Sequence, residues 1–450
     1  MKIFFKKHKQ MFAFMGEIWY TVSVKRKSVR FLRWIGGSQM REEIVHKLEV
    51  LAESAKYDVS CASSGVERHG IGKIGSASLG GICHAWSSDG RCISLLKVLH
   101  TNRCVFDCAY CINRRSNDIP RASFTSEELA ELTMEFYRRN YIEGLFLSSA
   151  IENDPQETME KIVRTLRLLR KTYGFAGYIH AKLIPGADPI LVRQAGLLAD
   201  RVSINLELPS QAGLAALAPQ KKPALLLAPM RQVYREISGY LEDTRHFRHT
   251  PAFAPGGQST QMIVGAIADT DYQLLQASSK LYRSFGMKRV YYSAYIPMNA
   301  DSRLPALAVP PPRQREHRLY QADWLMRFYE FEADEILDRS QPFFDLEFDP
   351  KIDWAFRHMD LFPIEVNRAS LHELLRVPGI GPTSAKRIVR HRRLAPLSYE
   401  SLAKTGVVMK RARYFLTCGG RFCGDVSMYP ENIKNKLRGQ DQQYQQLSLF

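Results

Sequence analysis

Short apolar runs alternate with amphipathic segments between residues 94 and 296. The runs have the length and β-branched content of buried strands, and the segments between them repeat apolar residues at helical spacing. We predict six strands, at 94–100, 144–149, 177–184, 201–208, 260–266 and 289–296. Helices are predicted at 126–140, with Ser126 as N-cap, and at 155–173. Strands joined by helical crossovers indicate an α/β fold with a parallel sheet, doubly wound or an incomplete barrel, and an active site at the carboxyl ends of the strands.

The chain on either side of this region follows other patterns. Residues 40–93 form a helical or irregular segment, and a Pro-rich break at 309–312 ends the α/β region, which we place at 94–308. Within 309–362, a long helix is predicted at 313–339 and an irregular linker at 340–353. Residues 363–424 form a separate helical module. The Gln-rich stretch 425–450 is predicted to be a flexible tail.

Composition and charge narrow the class of protein. The 450 residues allow two or three domains, and 45% hydrophobic with 24% charged residues excludes wholesale disorder and a fibrous repeat. No stretch of about 18 uncharged apolar residues occurs, so no membrane-spanning helix is predicted. The net charge of +17 is concentrated: 363–424 holds 12 Lys and Arg against 3 Asp and Glu. This module is therefore the segment predicted to bind a polyanion.

Residues 1–39 are also basic, with 9 Lys and Arg against 1 acidic residue. Their apolar run contains Glu17 and lacks a clear cleavage site, which disfavours a signal peptide. We expect translation to start at Met40, where a helical pattern begins. A disordered basic arm is the alternative.

Three of the eight cysteines, Cys104, Cys108 and Cys111, follow the first predicted strand within eight residues. Three thiolates facing one point suit an iron–sulfur cluster, whereas structural zinc takes four ligands and no fourth Cys or His completes a compact finger here. A cluster with three cysteine ligands keeps one iron open to a reactive molecule.

The sequence Cys-x-x-x-Cys-x-aromatic-Cys, with Tyr110 as the aromatic residue, resembles the signature of the radical S-adenosylmethionine (radical SAM) superfamily. The resemblance implies a partial (β/α)6 TIM-like barrel and a 4Fe–4S cluster whose open iron binds S-adenosylmethionine. In that family, one electron cleaves the sulfonium to give a 5′-deoxyadenosyl radical, and Tyr110 would pack near the adenine.

Further cofactor contacts are carried over from the same resemblance. Ser148 and Ser149 stand where the family has a Gly-Gly-Glu-like turn, from which Leu147–Glu152 departs. Ser203, Asn205 and Glu207 alternate along the fourth strand and suit ribose hydroxyls or the methionine carboxylate, or they face water in a barrel lumen. Gly265 would permit close approach of the adenine. For His180 and Lys182, a salt-bridged core pair and a substrate contact remain open.

The other cysteines are Cys61, Cys83, Cys92, Cys418 and Cys423. They could hold an auxiliary cluster or supply a hydrogen-donating thiol, although a buried free cysteine is the commoner fate.

The basic module contains a motif at residues 366–393. Ser370 and Glu373 form a capping box, Val377-Pro-Gly379-Ile380-Gly381 forms a tight turn, and a second helix follows at 382–393. This pattern is similar to the helix-hairpin-helix motif, in which backbone amides bind phosphate without reading the bases. The predicted DNA contacts are Gly379, Ile380, Gly381, Thr383, Lys386, Arg387 and Arg390, with Arg392 and Arg393 adding positive charge. Residues 402–411 resemble a degenerate second hairpin. An ordinary basic αα-hairpin is the alternative.

The chain ends Gln446-Leu447-Ser448-Leu449-Phe450. This string is similar to peptides that dock on the bacterial sliding clamp through Gln446, Leu447, Leu449 and Phe450. An apolar end that folds back on its own domain is the alternative.

A radical SAM domain followed by a helix-hairpin-helix resembles, over residues 45–424, the family called DNA modification/repair radical SAM proteins. The resemblance implies a cytoplasmic bacterial enzyme that uses a 4Fe–4S cluster and S-adenosylmethionine to modify or repair DNA. Its partners would be DNA, an electron donor such as flavodoxin or ferredoxin, and the sliding clamp, with no membrane. A tRNA- or RNA-modifying enzyme and a non-catalytic DNA-bound redox sensor remain alternatives.

Overall fold

The computed structural model describes residues 42–55, 82–86 and 92–447, with side chains for 42–55 and 93–438. It divides into two compact units. The first runs to Met262 and includes Phe285–Tyr291 and Pro297–Val309, and the second contains Ile263–Ser284, Tyr292–Ile296 and the chain from Pro310 onward. In the described part of the chain, no helix is long and apolar enough to cross a membrane.

The main element is a seven-stranded sheet whose strands lie in chain order. The strands are β1 (Ile82–Trp86), β2 (Cys92–Leu99), β3 (Gly144–Ser148), β4 (Tyr178–Lys182), β5 (Arg201–Ser203), β6 (Gln258–Val264) and β7 (Arg289–Ala294). β1 pairs antiparallel with β2, and the neighbouring strands from β2 to β6 pair in parallel. The predicted fold class is confirmed: a six-stranded parallel half-barrel with helices, followed by a helical C-terminal domain.

The six predicted strands correspond to β2 through β7, and most have shorter ends. The largest difference is β5, predicted over 201–208, which ends at Ser203. Beyond it Glu207 takes a left-handed conformation with φ of 69°, so the chain leaves the regular strand. β1 lies in a segment for which no strand was predicted, because its five residues carry no alternating pattern.

Helices cover the sheet between its strands. Those before β6 are Glu42–Ser54, Ser126–Arg138, Pro155–Arg167, Pro189–Leu198, Gln211–Leu217 and Pro223–His246. Asp154 and Asp188 cap two of them, each followed by a proline at the first helical position, where its missing N–H costs nothing. The predicted N-cap Ser126 is wrong by one residue. Thr125 forms the capping box with Glu128, and Ser126 is buried, its hydroxyl donating to Lys161 O.

The second unit is mainly helical. Its helices are Asp271–Phe285, Arg313–Phe328, Ala333–Ile336, Pro350–Arg357, Leu371–Arg376, Pro382–His391, Tyr399–Lys404, Met409–Ala412 and Pro430–Leu447. The last residue of the first of these helices, Phe285, belongs to the first unit. A small sheet, absent from the prediction, joins β8 (Ile364–Glu365), β9 (Leu416–Cys418) and β10 (Arg421–Phe422).

Three elements of this unit differ from the sequence prediction. The long helix predicted at 313–339 ends at Phe328, and Glu330 is left-handed with φ of 60°. The linker predicted at 340–353 contains the start of helix Pro350–Arg357, which Asp349 caps. The predicted flexible tail contains helix Pro430–Leu447, in which Ile433 and Leu437 are buried. Burying these two apolar residues stabilises a helix that the polar composition disfavoured.

Candidate active site and nucleic-acid interface

Cys104, Cys108 and Cys111 lie on an irregular loop directly after β2. We call residues 104–111 the cysteine loop. The Val105 amide donates to Ile151 O at 2.8 Å, so the loop is bound to the segment that follows β3. Because both segments leave the carboxyl ends of neighbouring parallel strands, the loop lies where β/α folds place their functional residues.

A second set of hydrogen bonds holds the other half of the cysteine loop. Ala109 N donates to Leu217 O at 2.7 Å, and the buried Asn299 donates through Nδ2 to Ala109 O at 2.7 Å and to Cys111 O at 3.1 Å. Sequence reasoning missed Asn299, because nothing in its surroundings marks a residue that contacts a loop about 190 positions earlier.

An ion-pair network also fixes the loop. Arg114 binds both carboxylate oxygens of Asp107, at 3.0 and 2.8 Å, and reaches Asp301 Oδ2 at 3.3 Å. The hydrogen bonds from Arg114 hold the pKa of Asp107 well below its usual range. A bidentate arginine–carboxylate pair fixes direction as well as distance, so it limits how the loop can rotate.

The three thiols are close enough to influence one another. Cys108 is buried, whereas Cys104 and Cys111 are partly exposed. Burial raises the pKa of Cys108, and burial together with Cys108 raises the pKa of Cys111 to about 12. A metal ion binds thiolates, so its binding here would release protons.

The donor chemistry of the cysteine loop fits an iron–sulfur cluster, since three cysteines on one short loop supply three thiolates. Among the described residues, no group of three or more His, Cys, Asp or Glu side chains lies close enough to hold a metal ion. The fit is therefore one of ligand type and position, and cluster ligation by Cys104, Cys108 and Cys111 stays a prediction.

A buried charged array adjoins the cysteine loop. Lys221 Nζ lies 2.7 Å from Glu207 Oε1 and donates to the Tyr110 hydroxyl at 3.3 Å. Burial disfavours its charge, but Glu207 outweighs this and raises the pKa of Lys221 well above its usual value. The array therefore holds a fixed ammonium beside the Cys108 thiol, whose pKa it acts to lower. Sequence reasoning found Tyr110 and Glu207 but missed Lys221.

The predicted alternation of Ser203, Asn205 and Glu207 does not continue past the end of β5. Ser203 is buried, and its hydroxyl lies 2.9 Å from His180 Nε2. His180 packs edge-on against Phe146 with ring centroids 4.5 Å apart. Glu207 pairs with Lys221 in the array beside the cysteine loop, and its left-handed backbone changes the direction of the chain after β5.

The remaining predicted cofactor residues lie at strand ends. Ser148 is buried at the end of β3, and the Ser149 hydroxyl donates to Ala150 O at 2.7 Å. Gly265 directly follows β6 with φ of 81°, and a Cβ at this position would lie 2.7 Å from a Pro312 side-chain carbon. Glycine is thus required here by the backbone and by packing.

The hairpin in the second unit has the predicted form. Ser370 and Glu373 make the capping box, and Gly379, with φ of 86°, turns the chain towards helix Pro382–His391. A Cβ on Gly379 would lie 2.6 Å from Val408 O. Gly381 caps the second helix without a side-chain hydrogen bond, so its first amides can donate to an anion.

The predicted DNA contacts divide into exposed and buried residues. Thr383, Lys386, Arg387 and Arg390 are exposed on the second helix. The Ile380 side chain is 1% exposed and belongs to the core. The predicted contact of Ile380 with DNA would therefore be made by its backbone.

Arg392 was predicted to add positive charge to the DNA-binding surface. It donates to Val366 O at 2.8 Å and Ala369 O at 2.5 Å, and it therefore braces the hairpin rather than projecting its charge outward.

A second hairpin is present where the sequence predicted a degenerate one. Helices Tyr399–Lys404 and Met409–Ala412 are joined through Gly406, which has φ of 91°. Val408 N donates to Gly379 O at 2.9 Å, so the two turns contact each other directly. Paired turns of this kind present two backbone surfaces side by side.

A buried lysine lies behind the first turn. Lys351 Nζ donates to Ile380 O at 2.6 Å and lies 4.7 Å from the centre of the Tyr329 ring. Burial lowers the pKa of Lys351 to about 7. The sequence prediction placed this residue in an irregular linker and so missed its contact with the turn.

In the described part of the chain, the other cysteines belong to no group of side chains that could hold a metal ion. Cys418 is buried and its thiol donates to Leu397 O at 2.9 Å, while Cys423 is exposed. Cys61 lies outside the described residues, and of Cys83 and Cys92 only the backbone is described.

Comparison with known proteins agrees with the hairpin geometry. Residues 363–397 match the family model of the helix-hairpin-helix motif. No curated protein matches the chain.

Two solved structures are similar to 51% of the chain, each at 14% identity and a TM-score of 0.37. They are HydG, a maturase of the [FeFe]-hydrogenase, of which 48% is covered, and the FeFe-hydrogenase maturase HydG from Carboxydothermus hydrogenoformans, of which 50% is covered. The chain thus spans about half the length of these maturases. A likeness at this level says nothing about the activity of the chain.

Changing Gly379 to Ala should weaken both the fold and DNA binding, because the new Cβ would meet Val408 O and the left-handed backbone disfavours alanine. We expect the unfolding midpoint and the affinity for duplex DNA to fall together. Gly239→Ala is the matched control, since Gly239 lies within a helix with nothing within 4 Å of its Cβ position. Thermal melting and fluorescence anisotropy measure the two effects. Equal behaviour of both variants would contradict the assignment.

Lys351 should give stability a recognisable pH dependence. Its pKa is about 7 in the folded chain against an ordinary 10.5, so between these values the unfolded chain binds more protons and stability rises with pH. Compared with Lys351→Met, which does not titrate, the wild type should gain roughly 2 kcal/mol of unfolding free energy between pH 7 and 9. Denaturation of both proteins across this range measures the difference in unfolding free energy, and a difference that stays constant would exclude the lowered pKa of Lys351.

Proposed function

We propose that this chain is a radical SAM enzyme that acts on DNA, modifying or repairing a base or sugar. Two observations together support this proposal most strongly. The cysteine loop lies at the carboxyl end of β2 in the half-barrel, and the same chain contains a helix-hairpin-helix motif. The loop offers a donor set for redox chemistry, and the motif offers a phosphate-binding surface.

In this proposal Cys104, Cys108 and Cys111 are the ligands of a 4Fe–4S cluster. When bound, the cluster and S-adenosylmethionine supply an organic radical through one-electron cleavage of the sulfonium. The contribution of the chain is to hold the loop rigid. Asn299 fixes its carbonyl groups, and the Arg114–Asp107 pair fixes its opposite side.

Charged residues beside the loop support binding of a zwitterionic cofactor. Glu207 and Lys221 form a buried pair next to Tyr110, so either charge can be re-paired with an ammonium or a carboxylate of a ligand. We propose that the cofactor contacts predicted from the resemblance, Ser148, Ser149, Ser203, Asn205, Glu207 and Gly265, act with this pair.

The helix-hairpin-helix supports the proposal that the substrate is DNA. The amides at the start of helix Pro382–His391 and the exposed Lys386, Arg387 and Arg390 can contact phosphates in sequence-independent fashion. Duplex DNA bound more tightly than tRNA would separate this function from an RNA-modifying enzyme.

Further partners and the cellular location follow from the same proposal. A flavodoxin or ferredoxin would supply the electron, and the reaction would take place in the cytoplasm of a bacterium. Docking on the sliding clamp also stays a proposal. Gln446 and Leu447 belong to the end of helix Pro430–Leu447, and Leu449 and Phe450 lie outside the described residues.

The reaction is tested by anaerobic incubation of the reconstituted chain with S-adenosylmethionine and dithionite. We expect 5′-deoxyadenosine from the wild type and none above background from Cys108→Ala, because a lost ligand removes the cluster. Cys423→Ala is the matched control and should keep the activity, since its thiol is exposed and outside the loop. Chromatography with mass detection measures the product. A wild type that releases no 5′-deoxyadenosine would instead support a DNA-bound redox sensor.

A further inference from the structure

Two neighbouring aromatic side chains are exposed on helix Arg313–Phe328. Trp324 is 50% exposed and Phe328 is 43% exposed, and their ring centroids are 4.3 Å apart at an angle of 47°. Large aromatic rings usually contribute to a core, and here both present much of their surface to solvent. We call these two residues the aromatic pair.

The aromatic pair is joined to the hairpin through Tyr329. Tyr329 directly follows Phe328 in the chain and is partly buried. The Tyr329 hydroxyl lies 3.3 Å from the point where a Cβ on Gly381 would be. The residue after Phe328 therefore lies against the start of the second hairpin helix.

The connection is rigid. Arg376, at the end of the first hairpin helix, donates to Tyr329 O at 3.0 Å and Glu330 O at 3.0 Å. Its guanidinium is buried and also binds both carboxylate oxygens of Glu335, at 2.6 and 2.8 Å. Lys351 covers the Tyr329 ring and holds the turn from behind. The hairpin and the end of helix Arg313–Phe328 are thus fixed to each other by buried basic side chains.

One cation, paired with a buried carboxylate, lies against the aromatic pair. The Arg327 guanidinium lies 4.9 Å from the centre of the Phe328 ring and 3.4 Å from Asp323 Oδ2, a fully buried carboxylate. Exposed aromatic rings near a hairpin whose second helix carries the exposed cations Lys386, Arg387 and Arg390 suit a ligand with a flat apolar face and a nearby phosphate. A nucleotide with an unstacked base has both features.

We propose that Trp324 and Phe328 form a stacking site for an unpaired base of DNA whose backbone is bound by the adjacent hairpin. The inference rests on the proposed function and narrows its substrate class to DNA with an unpaired or displaced base. Base pairs within an intact duplex keep their faces covered, so the aromatic pair adds nothing to binding of a perfect duplex. An unpaired nucleotide offers a free face, and stacking on an aromatic ring does not depend on which base it carries.

The test compares two labelled DNA probes on the full chain by fluorescence anisotropy: a perfect duplex and the same duplex with a three-nucleotide bulge. We expect the wild type to bind the bulged probe more tightly, by about tenfold, the range expected for one stacked base. Trp324→Ala and Phe328→Ala should remove this preference while leaving affinity for the perfect duplex unchanged. Trp324→Phe should retain most of it.

Matched controls separate this inference from the proposed function. Phe247→Ala removes another exposed aromatic residue, 65% exposed and in the other unit, and should leave both affinities unchanged. The double change Lys386→Ala with Arg387→Ala should lower the affinity for both probes alike, because it removes phosphate contacts.

If only the hairpin variant lowers affinity and Trp324→Ala keeps the bulge preference, the stacking site is wrong and DNA binding stands. If the wild type binds neither probe, the proposed function fails together with the inference.

A second readout reports on the ring itself. The chain contains five tryptophans, and stacking of a base quenches indole fluorescence. Titration with unlabelled bulged DNA should quench part of the emission of the wild type and not that of Trp324→Phe. Identical quenching in the two proteins would overturn the proposal.

Discussion

The cysteine loop follows a defined path although it has neither helix nor strand of its own. Hydrogen bonds from other segments impose this path, since Ile151 and Leu217 accept from its amides and Asn299 donates to its carbonyls. These contacts come from distant parts of the first unit. The candidate active site therefore depends on the parallel sheet, which brings the loops that follow neighbouring strands to one edge.

Buried charge serves different purposes in the two units. In the first, Lys221 and Glu207 place an ion pair beside the cysteine loop. In the second, Lys351 and Arg376 donate to backbone carbonyls and so fix the hairpin to the helices before it. Each unit thus uses hydrogen-bonded basic side chains in its interior to hold irregular backbone in place, since buried polar groups left unpaired would be costly.

The fold could be predicted from local pattern because buried parallel strands are short apolar runs. The spacing of the motifs predicted the loop of Cys104, Cys108 and Cys111 and the turn at Gly379. Contacts between distant residues could not be predicted. Nothing around Lys221 or Asn299 distinguishes them from ordinary polar residues, and only the packing of the chain brings them to the loop.

Side-chain direction was a further limit. Ile380 was predicted as a DNA contact and Arg392 as added positive charge, and the structure places the Ile380 side chain in the core and pairs Arg392 with backbone carbonyls of the hairpin. The N-cap was misplaced by one residue because Thr125 and Ser126 are both good caps, and only the hydrogen bond to Glu128 decides between them. Residue type predicted the chemistry available, whereas tertiary contacts decided which residues are free to use it.

Electron paramagnetic resonance of the anaerobically reconstituted and reduced chain tests the central claim most directly. A cube-type iron–sulfur signal that changes shape when S-adenosylmethionine is added is the expected result, because a cluster held by three cysteines has an iron open to that ligand. Bound zinc, or an iron signal that the cofactor leaves unchanged, would contradict the account and leave a nucleic-acid-binding protein without the proposed chemistry.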